Sequence, residues 1–182
     1  MKEQLELRMY FFVNYQLMGI QKGIQCGHAA LEYASKFGND EIFMEFIRIW
    51  KTWIILDGGT TNETRGFDGN PLGTLDQIGD SLLENDIQFS YFKEPDLNNA
   101  LTSLCFIADE RVWNYTDYPN FVDYLIQYTL PLLTSQKVVE LKMMPIEELR
   151  EFYYIEYQKW VDFMVGDKNI FLRELIKDKK LA

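Results

Sequence analysis

The sequence predicts an α/β fold: a four-stranded mixed sheet with helices on both faces, followed by a C-terminal helical extension. Two observations support this prediction. Up to about residue 116, short apolar or alternating runs typical of strands occur between segments with helical spacing. Beyond that point, helical spacing recurs with no strand signal in between. We therefore divide the 182 residues into an α/β domain, residues 1–116, and a helical extension, residues 117–182, packed on it.

The first half of the α/β domain contains two predicted strands and two predicted helices. Residues 8–14, RMYFFVN, and residues 52–57, TWIILD, are short apolar runs. The second run is of the kind found in a sheet covered on both faces. Residues 20–37 have helical spacing, and Asn39 or Asp40 can cap the helix that follows, EIFMEFIRIWK.

The second half contributes one helix and two more strands. A long loop, GGTTNETRGFDGNPLG, follows the second strand and is rich in Gly, Asn, Thr and Pro. Thr74 is placed to cap the next helix, with Gln77 completing a capping box. Residues 87–92 alternate as a third strand, and residues 101–110 form a fourth. The predicted order is β-α-α-β-α-β-β.

The C-terminal extension is rich in Tyr, Phe and Trp. Pro131 is expected to end or kink its first helix, and Ser135 to Met144 gives no decisive pattern. This composition favours a packing layer or an oligomer contact over a ligand site. We expect a homo-oligomer, a dimer or larger.

Composition restricts the function classes. Lys and Arg number 18 and Asp and Glu 28, which gives a formal charge of −10. That charge works against the capture of a large polyanion. No apolar run is long enough to span a membrane, and the N-terminus lacks a signal-peptide pattern. With two cysteines and one histidine, we expect a reduced cytoplasmic protein with no disulfide, metal site or cofactor.

One segment carries a family resemblance. YFFVNYQLMGIQKGIQCGHAALEYA contains Gln25, Cys26, Gly27, His28 and two alanines in sequence. It resembles the first strand and helix of the peptidyl-tRNA hydrolase family of the archaeal and eukaryotic type. The segment LDQIGDSLLENDIQFSYFKEPDLNNALTSL is similar to that family's next helix, third strand and catalytic turn, so the resemblance covers about residues 8–110.

This resemblance implies hydrolysis of the ester that joins a peptide to the 3′ ribose of tRNA, with water as the attacking group. The implied substrate is a tRNA or a related nucleotide ester. The implied catalytic residues are a lysine and a carboxylate, here Lys22 with Glu94 or Asp96. Residues implied to bind the ligand lie in the same two segments: Gln21, Gln25, Asn98, Asn99 and Thr102.

The sequence departs from the family pattern at both segments. The family lysine lies four residues before the glutamine, whereas Lys22 lies three before Gln25 and Gln21 holds the family position. One residue corresponds to about 100° of rotation on a helix. Glu94 stands where the family has Asp, and Asn98 and Asn99 replace its Thr and Gln.

Several residues of the first segment are interpreted as scaffold. We expect the His28 ring to pack against the sheet or a neighbouring loop, and Cys26 to be a small buried residue. Gly23 and Gly27, four residues apart, are expected to let the helix approach the sheet closely. DGGTTNETRG is either an ordinary loop or an anion cradle formed by backbone N–H groups.

Three functions stay open at this point. The first is the hydrolase. The second is a non-catalytic protein on the same fold that binds or sequesters a small nucleotide-like ligand, for example in viral counter-defence. Such a ligand needs only a local pocket, so the acidic charge is less of an obstacle. The third is a protein-interaction role carried by the helical extension.

Overall fold

The computed structural model describes residues 4–61, 73–130 and 133–182. The chain divides into two compact units, one comprising Met1–Asp109 with Ile176–Ala182 and the other comprising Glu110–Leu175. The boundary lies between Asp109 and Glu110, and the last seven residues, 176–182, belong to the first unit. Pro131 and most of the long loop after the second strand lie outside the described residues.

The first unit contains the sheet in the order of elements predicted from the sequence. Its elements are β1 (Leu7–Asn14), α1 (Gly19–Phe37), α2 (Glu41–Glu45) continuing as a π-helical turn (Phe46–Trp50), β2 (Thr52–Gly59), α3 (Thr74–Glu84), β3 (Phe89–Glu94), a 3-10 turn (Pro95–Leu97) and β4 (Ala100–Asp109). Asp40 caps α2, because its carboxylate accepts a hydrogen bond from the Phe43 amide at 3.0 Å.

The sheet is mixed, and its strand order is β2-β1-β4-β3. β1 pairs with β2 in parallel and with β4 antiparallel. β3 pairs with β4 antiparallel and lies at one edge. The predicted α/β class with a four-stranded mixed sheet is therefore confirmed.

Helices cover both faces of the sheet. Successive side chains of a strand point to opposite sides, so β1 contributes apolar residues to both faces. Met9, Phe11 and Val13 of β1 pack with Cys26 and Ala29 of α1. On the other face, α3 packs against β1, β2 and β4 and buries Leu75, Ile78 and Leu82. β1 lies between these two layers, and Phe11, Phe12 and Val13 are completely buried.

The helix α3 begins differently from the prediction. The N-cap is Gly73, and Thr74 is the first helical residue. The Thr74 hydroxyl donates to Gly58 O at 2.9 Å and accepts from the Thr60 amide at 3.0 Å. The predicted capping role of Thr74 is therefore wrong, since its hydroxyl ties the helix to the end of β2.

β2 is an edge strand, and its outer edge is partly covered by the last residues of the chain. Leu181 forms an antiparallel bridge to Leu56. The Asp57 amide donates to Lys180 O at 2.9 Å, and the Ala182 amide donates to Ile55 O at 3.0 Å. Trp53, near the start of β2, is 43% exposed, so this apolar strand is less covered than the central β1.

The second unit is helical in its described part. It contains α4 (Glu110–Trp113), α5 (Phe121–Tyr124) with a π-helical turn (Leu125–Thr129), α6 (Ser135–Met143), α7 (Ile146–Phe152), α8 (Tyr154–Phe163) and most of α9 (Asp167–Ile176). Its core is formed by Phe121, Leu125, Leu141, Leu149, Trp160, Met164 and Ile170. Ser135–Met143, undecided from the sequence, is thus a helix.

A buried guanidinium joins three segments of the helical unit. Arg173 is 1% exposed; its Nη1 donates to Arg111 O at 2.7 Å and its Nε to Asn120 Oδ1 at 3.2 Å. The guanidinium carbon lies 3.7 Å from the centre of the Tyr115 ring. Burial lowers the pKa of Arg173.

None of the helices in the described ranges is both long enough and apolar enough to cross a membrane.

Two matched glycine substitutions test the packing around α3. Gly59 has φ +77°, and a Cβ there would collide with the Thr74 hydroxyl, whereas a Cβ at Gly79 would make an ordinary contact with Leu104 at 3.7 Å. We expect Gly59→Ala to lower the free energy of unfolding by about 1–3 kcal/mol. Gly79→Ala is expected to raise it by up to about 1 kcal/mol, because alanine favours a helix interior. Urea denaturation measures both, and a loss of stability in both variants would contradict the packing.

The buried thiol of Cys26 gives a pH-dependent prediction. Burial raises the pKa of Cys26 from 9.0 to about 11, opposed by the weaker effect of the hydrogen bond from Ser103. The folded protein keeps this thiol protonated at pH values where the unfolded chain ionises it. The contribution of Cys26 to the free energy of unfolding is therefore fully present below pH 9 and is lost as the pH rises towards 11.

Cys26→Ala removes that dependence. We expect the stability difference between wild type and Cys26→Ala to shrink by about 2–3 kcal/mol between pH 8.5 and pH 11, as measured by urea denaturation at each pH. A difference that stays constant over this range would show that the folded protein does not hold the thiol protonated.

Candidate active site

The ends of β1 and β2, the start of β4 and the start of α1 lie on one side of the sheet, which is called the site edge below because the strands begin or end there. β1 and β2 are parallel, so both end there, and the antiparallel β4 begins there. The turn that joins β3 to β4, residues 95–99, lies at the site edge. Ligands of open α/β sheets bind in the crevice outside the carboxyl ends of the strands, so this edge is the place to seek a site.

Asn14, the last residue of β1, holds the site edge together. It is 7% exposed; its Nδ2 donates to Thr61 Oγ1 at 2.8 Å, and its Oδ1 accepts from the Gln16 amide at 2.8 Å. The Tyr15 amide also donates to Gly59 O at 3.0 Å. One buried amide thus fixes both the turn into α1 and the segment that follows β2.

A cavity of about 380 Å³ opens between these segments and the start of β4. Asn14 and Thr61 line one part of it, and Leu97, Ala100 and Thr102 line another. Its volume falls at the lower end of the range for small-molecule sites. Sequence reasoning found Thr102 but missed Asn14 and Thr61; the available signal was a polar residue at the end of an otherwise apolar strand.

A chain of hydrogen bonds joins β4, α1 and the end of β3. Thr102 Oγ1 donates to Gln25 Oε1 at 2.7 Å, and Gln25 Nε2 donates to Glu94 Oε2 at 2.6 Å. Thr102 and Gln25 are buried, and Glu94 is half-buried. Three of the predicted site residues are therefore brought together, with the Glu94 carboxylate held by a donor that is itself fixed.

Lys22 lies on the sheet-facing side of α1. It precedes Gln25, Cys26 and Ala29 by three, four and seven residues, and all three are buried, so the four share one helix face. Lys22 is half-buried and has neither a hydrogen bond nor an ion pair within the residues that the structure describes. It stands about one helical turn before Gln25.

Gln21, which holds the family position of the lysine, has a different role. Its side-chain Oε1 accepts from the Met18 backbone N–H at 3.2 Å. Its backbone N–H donates to Met18 O at 2.8 Å. This reciprocal pair caps the start of α1. Gln21 is exposed, so the rotation between positions 21 and 22 places the lysine, not the glutamine, on the inner face.

The turn between β3 and β4 carries the other predicted residues. Asp96 lies in the 3-10 turn and is exposed. Asn98 and Asn99 are also exposed, with φ of +54° and +58°. Asparagine tolerates this left-handed region better than most residues, so the conformation of the turn accounts for both asparagines. The hydrogen bonds of the site do not include these three side chains.

The scaffold interpretation of His28 and Cys26 is confirmed. The His28 ring stacks on Phe92 of β3, with ring centres 4.5 Å apart, and Cys26 is fully buried. The role predicted for Gly23 and Gly27 is wrong, because a Cβ at either position would have no atom within 4 Å. Both glycines face away from the sheet.

A metal site is not evident among residues 4–61, 73–130 and 133–182, where no three His, Cys, Asp or Glu side chains cluster.

No protein-family model matches the chain, and no curated protein is significantly similar to it. The resemblance to the peptidyl-tRNA hydrolases therefore stays a prediction.

The arrangement provides the groups needed for attack by water on a carbonyl. Glu94 supplies a carboxylate in a fixed orientation, which suits a general base. Lys22 supplies a positive charge in the first turn of α1, and the helix dipole adds partial positive charge at the same end of that helix.

The hydrogen-bond chain through Gln25 makes a stability prediction. Gln25→Leu removes one acceptor and one donor, and we expect it to lower the free energy of unfolding by about 1–3 kcal/mol. Thr102→Val removes the first bond of the same chain, so the double variant should lose less than the sum of the two single variants. Urea denaturation of the four proteins gives the coupling energy.

Gln136→Leu is the matched control. Gln136 is exposed on α6, and we expect a change within about 0.5 kcal/mol. Strictly additive effects of Gln25→Leu and Thr102→Val would contradict the hydrogen-bond chain.

Proposed function

We propose that the protein is an ester hydrolase of the peptidyl-tRNA hydrolase type, acting on an acyl ester of a tRNA or of a related nucleotide. The observation that carries the proposal is the link from Thr102 through Gln25 to Glu94, next to the start of the helix that bears Lys22. It joins residues of the two segments that resemble the family, 69 positions apart in the case of Gln25 and Glu94.

In the proposed reaction, the Glu94 carboxylate takes a proton from a water molecule as the water oxygen attacks the ester carbonyl carbon. Negative charge develops on the carbonyl oxygen, and Lys22 with the N–H groups at the start of α1 stabilises it. The bond between the carbonyl carbon and the ribose oxygen then breaks. Glu94 returns the proton to the ribose oxygen, so the products are a free acid and a 3′ hydroxyl.

The acidic charge of the chain favours a substrate recognised mainly at its ester end. A formal charge of −10 opposes extended contact with a phosphate backbone. The cavity of about 380 Å³ has room for a nucleoside or an acyl group but not for a larger portion of tRNA. We therefore expect the activity to depend on the terminal nucleoside ester more than on the body of the tRNA.

A second candidate is binding of a small nucleotide-like ligand without turnover. Asn14, Thr61 and Thr102 place an amide and two hydroxyls on the wall of the cavity. Groups of this kind fix the orientation of a bound base or ribose through hydrogen bonds. Binding in the cavity needs these groups, but it does not need Glu94 as a base.

Release of the acyl group from N-acetylphenylalanyl-tRNA and from the corresponding 3′-adenosine ester tests the first candidate. Glu94→Gln keeps an oxygen that accepts from Gln25, so we expect an unchanged melting temperature with kcat lowered by about 100-fold or more. Lys22→Ala should lower kcat by about 10–1,000-fold through loss of oxyanion stabilisation.

Glu32→Gln is the control, since Glu32 is an exposed carboxylate farther along α1; we expect it to leave kcat unchanged. Asp96→Asn shows which carboxylate acts, and a larger loss of kcat with Asp96→Asn than with Glu94→Gln would identify Asp96 as the base.

Absence of acyl release by the folded wild type would exclude the hydrolase. A melting temperature that then rises with added adenosine nucleotides would support the binding protein.

A further inference from the structure

The outer face of α1 is apolar and exposed. Ile20, Ile24 and Leu31 are 81%, 51% and 69% exposed, and their spacing of four and seven residues places them on one side of the helix. The opposite side packs on the sheet through Cys26 and Ala29. α1 is therefore apolar on two faces, whereas a surface helix normally keeps its outer face polar.

A notch lies within this exposed face. Gly27 is between Ile24 and Leu31 on the same side of the helix, and a Cβ at Gly27 would have no atom within 4 Å. Glycine is a weak helix former, and no atom of the described residues requires a missing side chain at this position of the 19-residue helix. It leaves a gap into which a side chain of another molecule can fit.

The exposed face is symmetric about the midpoint of residues 20 to 31. In an antiparallel pair of α1 helices centred there, Ile20 of one chain lies opposite Leu31 of the other, and Ile24 lies opposite Gly27. The large side chain of Ile24 thus meets the notch of the second copy, twice in the same pair. Such self-complementarity is the requirement of a two-fold interface.

We propose that this face of α1 is the interface of a symmetric antiparallel dimer, with a second copy of the chain as its partner. The helices meet along the stripe Ile20, Ile24, Gly27 and Leu31. The proposal does not depend on the proposed function.

The charges of α1 permit this pairing despite the acidic chain. From Gly19 to Leu31, the helix contains one charged residue, Lys22, and Lys22 lies on the sheet-facing side with Gln25 and Cys26. Two copies with a formal charge of −10 each repel one another at long range. Contact through the stripe adds no pair of like charges at short range.

The surface beside the stripe supports the same interface. A groove of about 560 Å³ runs next to α1, lined by Ile24 and Leu31 with Phe43, Ile47 and Trp53. Ile47 and Trp53 are 37% and 43% exposed. Ile24 and Leu31 of the stripe and these two residues therefore line one apolar surface, which is larger than an isolated exposed residue, as expected where a protein meets a partner. Lys51 is the one side chain with a formal charge among the described residues that line the groove.

The mass in solution is the first test. At about 50 µM chain, where mass action favours association, light scattering coupled to gel filtration should give twice the chain mass of 21.6 kDa. Ile20→Lys and Leu31→Glu each place a charge in the stripe. We expect each to raise the dimer dissociation constant on the order of 100-fold or more and to give the monomer mass, with the melting behaviour of a folded protein because both residues are exposed.

A mixing experiment tests the antiparallel register. In a heterodimer of Ile20→Lys with Leu31→Glu, the new lysine lies opposite the new glutamate, and an Ile20–Leu31 contact remains on the other side of the axis. We expect an equimolar mixture to regain the dimer mass that neither variant has alone. Leu83→Lys, on the exposed face of α3, is the control and should leave the wild-type mass unchanged.

Gly27→Leu distinguishes an effect on dimer formation from an effect on folding. The new side chain meets no atom of its own chain near its Cβ, and leucine favours a helix, so the melting temperature of the monomer should not fall. It fills the notch for Ile24, so the dissociation constant should rise at least about 10-fold.

A monomeric wild type at this concentration would overturn the proposal. A dimer that persists in both charged variants would overturn it as well, since the interface would then lie elsewhere. Failure of the mixture to regain the dimer, with each variant monomeric, would overturn the antiparallel register.

Discussion

The burial of β1 is the constraint on which the α/β unit depends. Phe11, Phe12 and Val13 have no solvent exposure, because β1 is paired on both edges and covered on both faces. Asn14, Gln25 and Thr102 belong to β1, α1 and β4, which form or pack on this core, and Glu94, at the end of β3, is joined to them through Gln25. The position of Asn14 at the end of this strand is therefore fixed by apolar packing behind it, and the site inherits rigidity from a core that takes no part in its chemistry.

The elements of the fold could be predicted from the sequence because their signals are local. Apolar runs, helical spacing and turn residues predict four strands in the correct order, and Asp40, one of the two residues predicted to cap α2, is its cap. Strand neighbours are not encoded locally. The sequence therefore did not predict that β4 would insert between β1 and β3, nor that the apolar β2 would lie at an edge.

The candidate site was predictable in part. Gln25, Glu94 and Thr102 were identified by resemblance, and the structure joins them. The direction of Lys22 depends on where the helix begins, and one residue decides which face it occupies. Gly23 and Gly27 were assigned to the wrong face for the same reason. Asn14, Thr61 and the hydroxyl of Thr74 act through partners that are remote in sequence. A local pattern can mark Asn14 as the polar end of an apolar strand, but it does not reveal these partners.

The bridge between Leu56 and Leu181 affects how open the outer edge of β2 is to strands of other chains. An open edge strand with apolar residues is a template on which other chains add strands, the first step towards fibrils. The backbone groups of Ile55 and Asp57 are already bonded to Ala182 and Lys180, which leaves less of this edge for an incoming strand. Residues 180–182, although exposed, thus reduce the number of backbone groups of β2 that remain open to pairing with another chain.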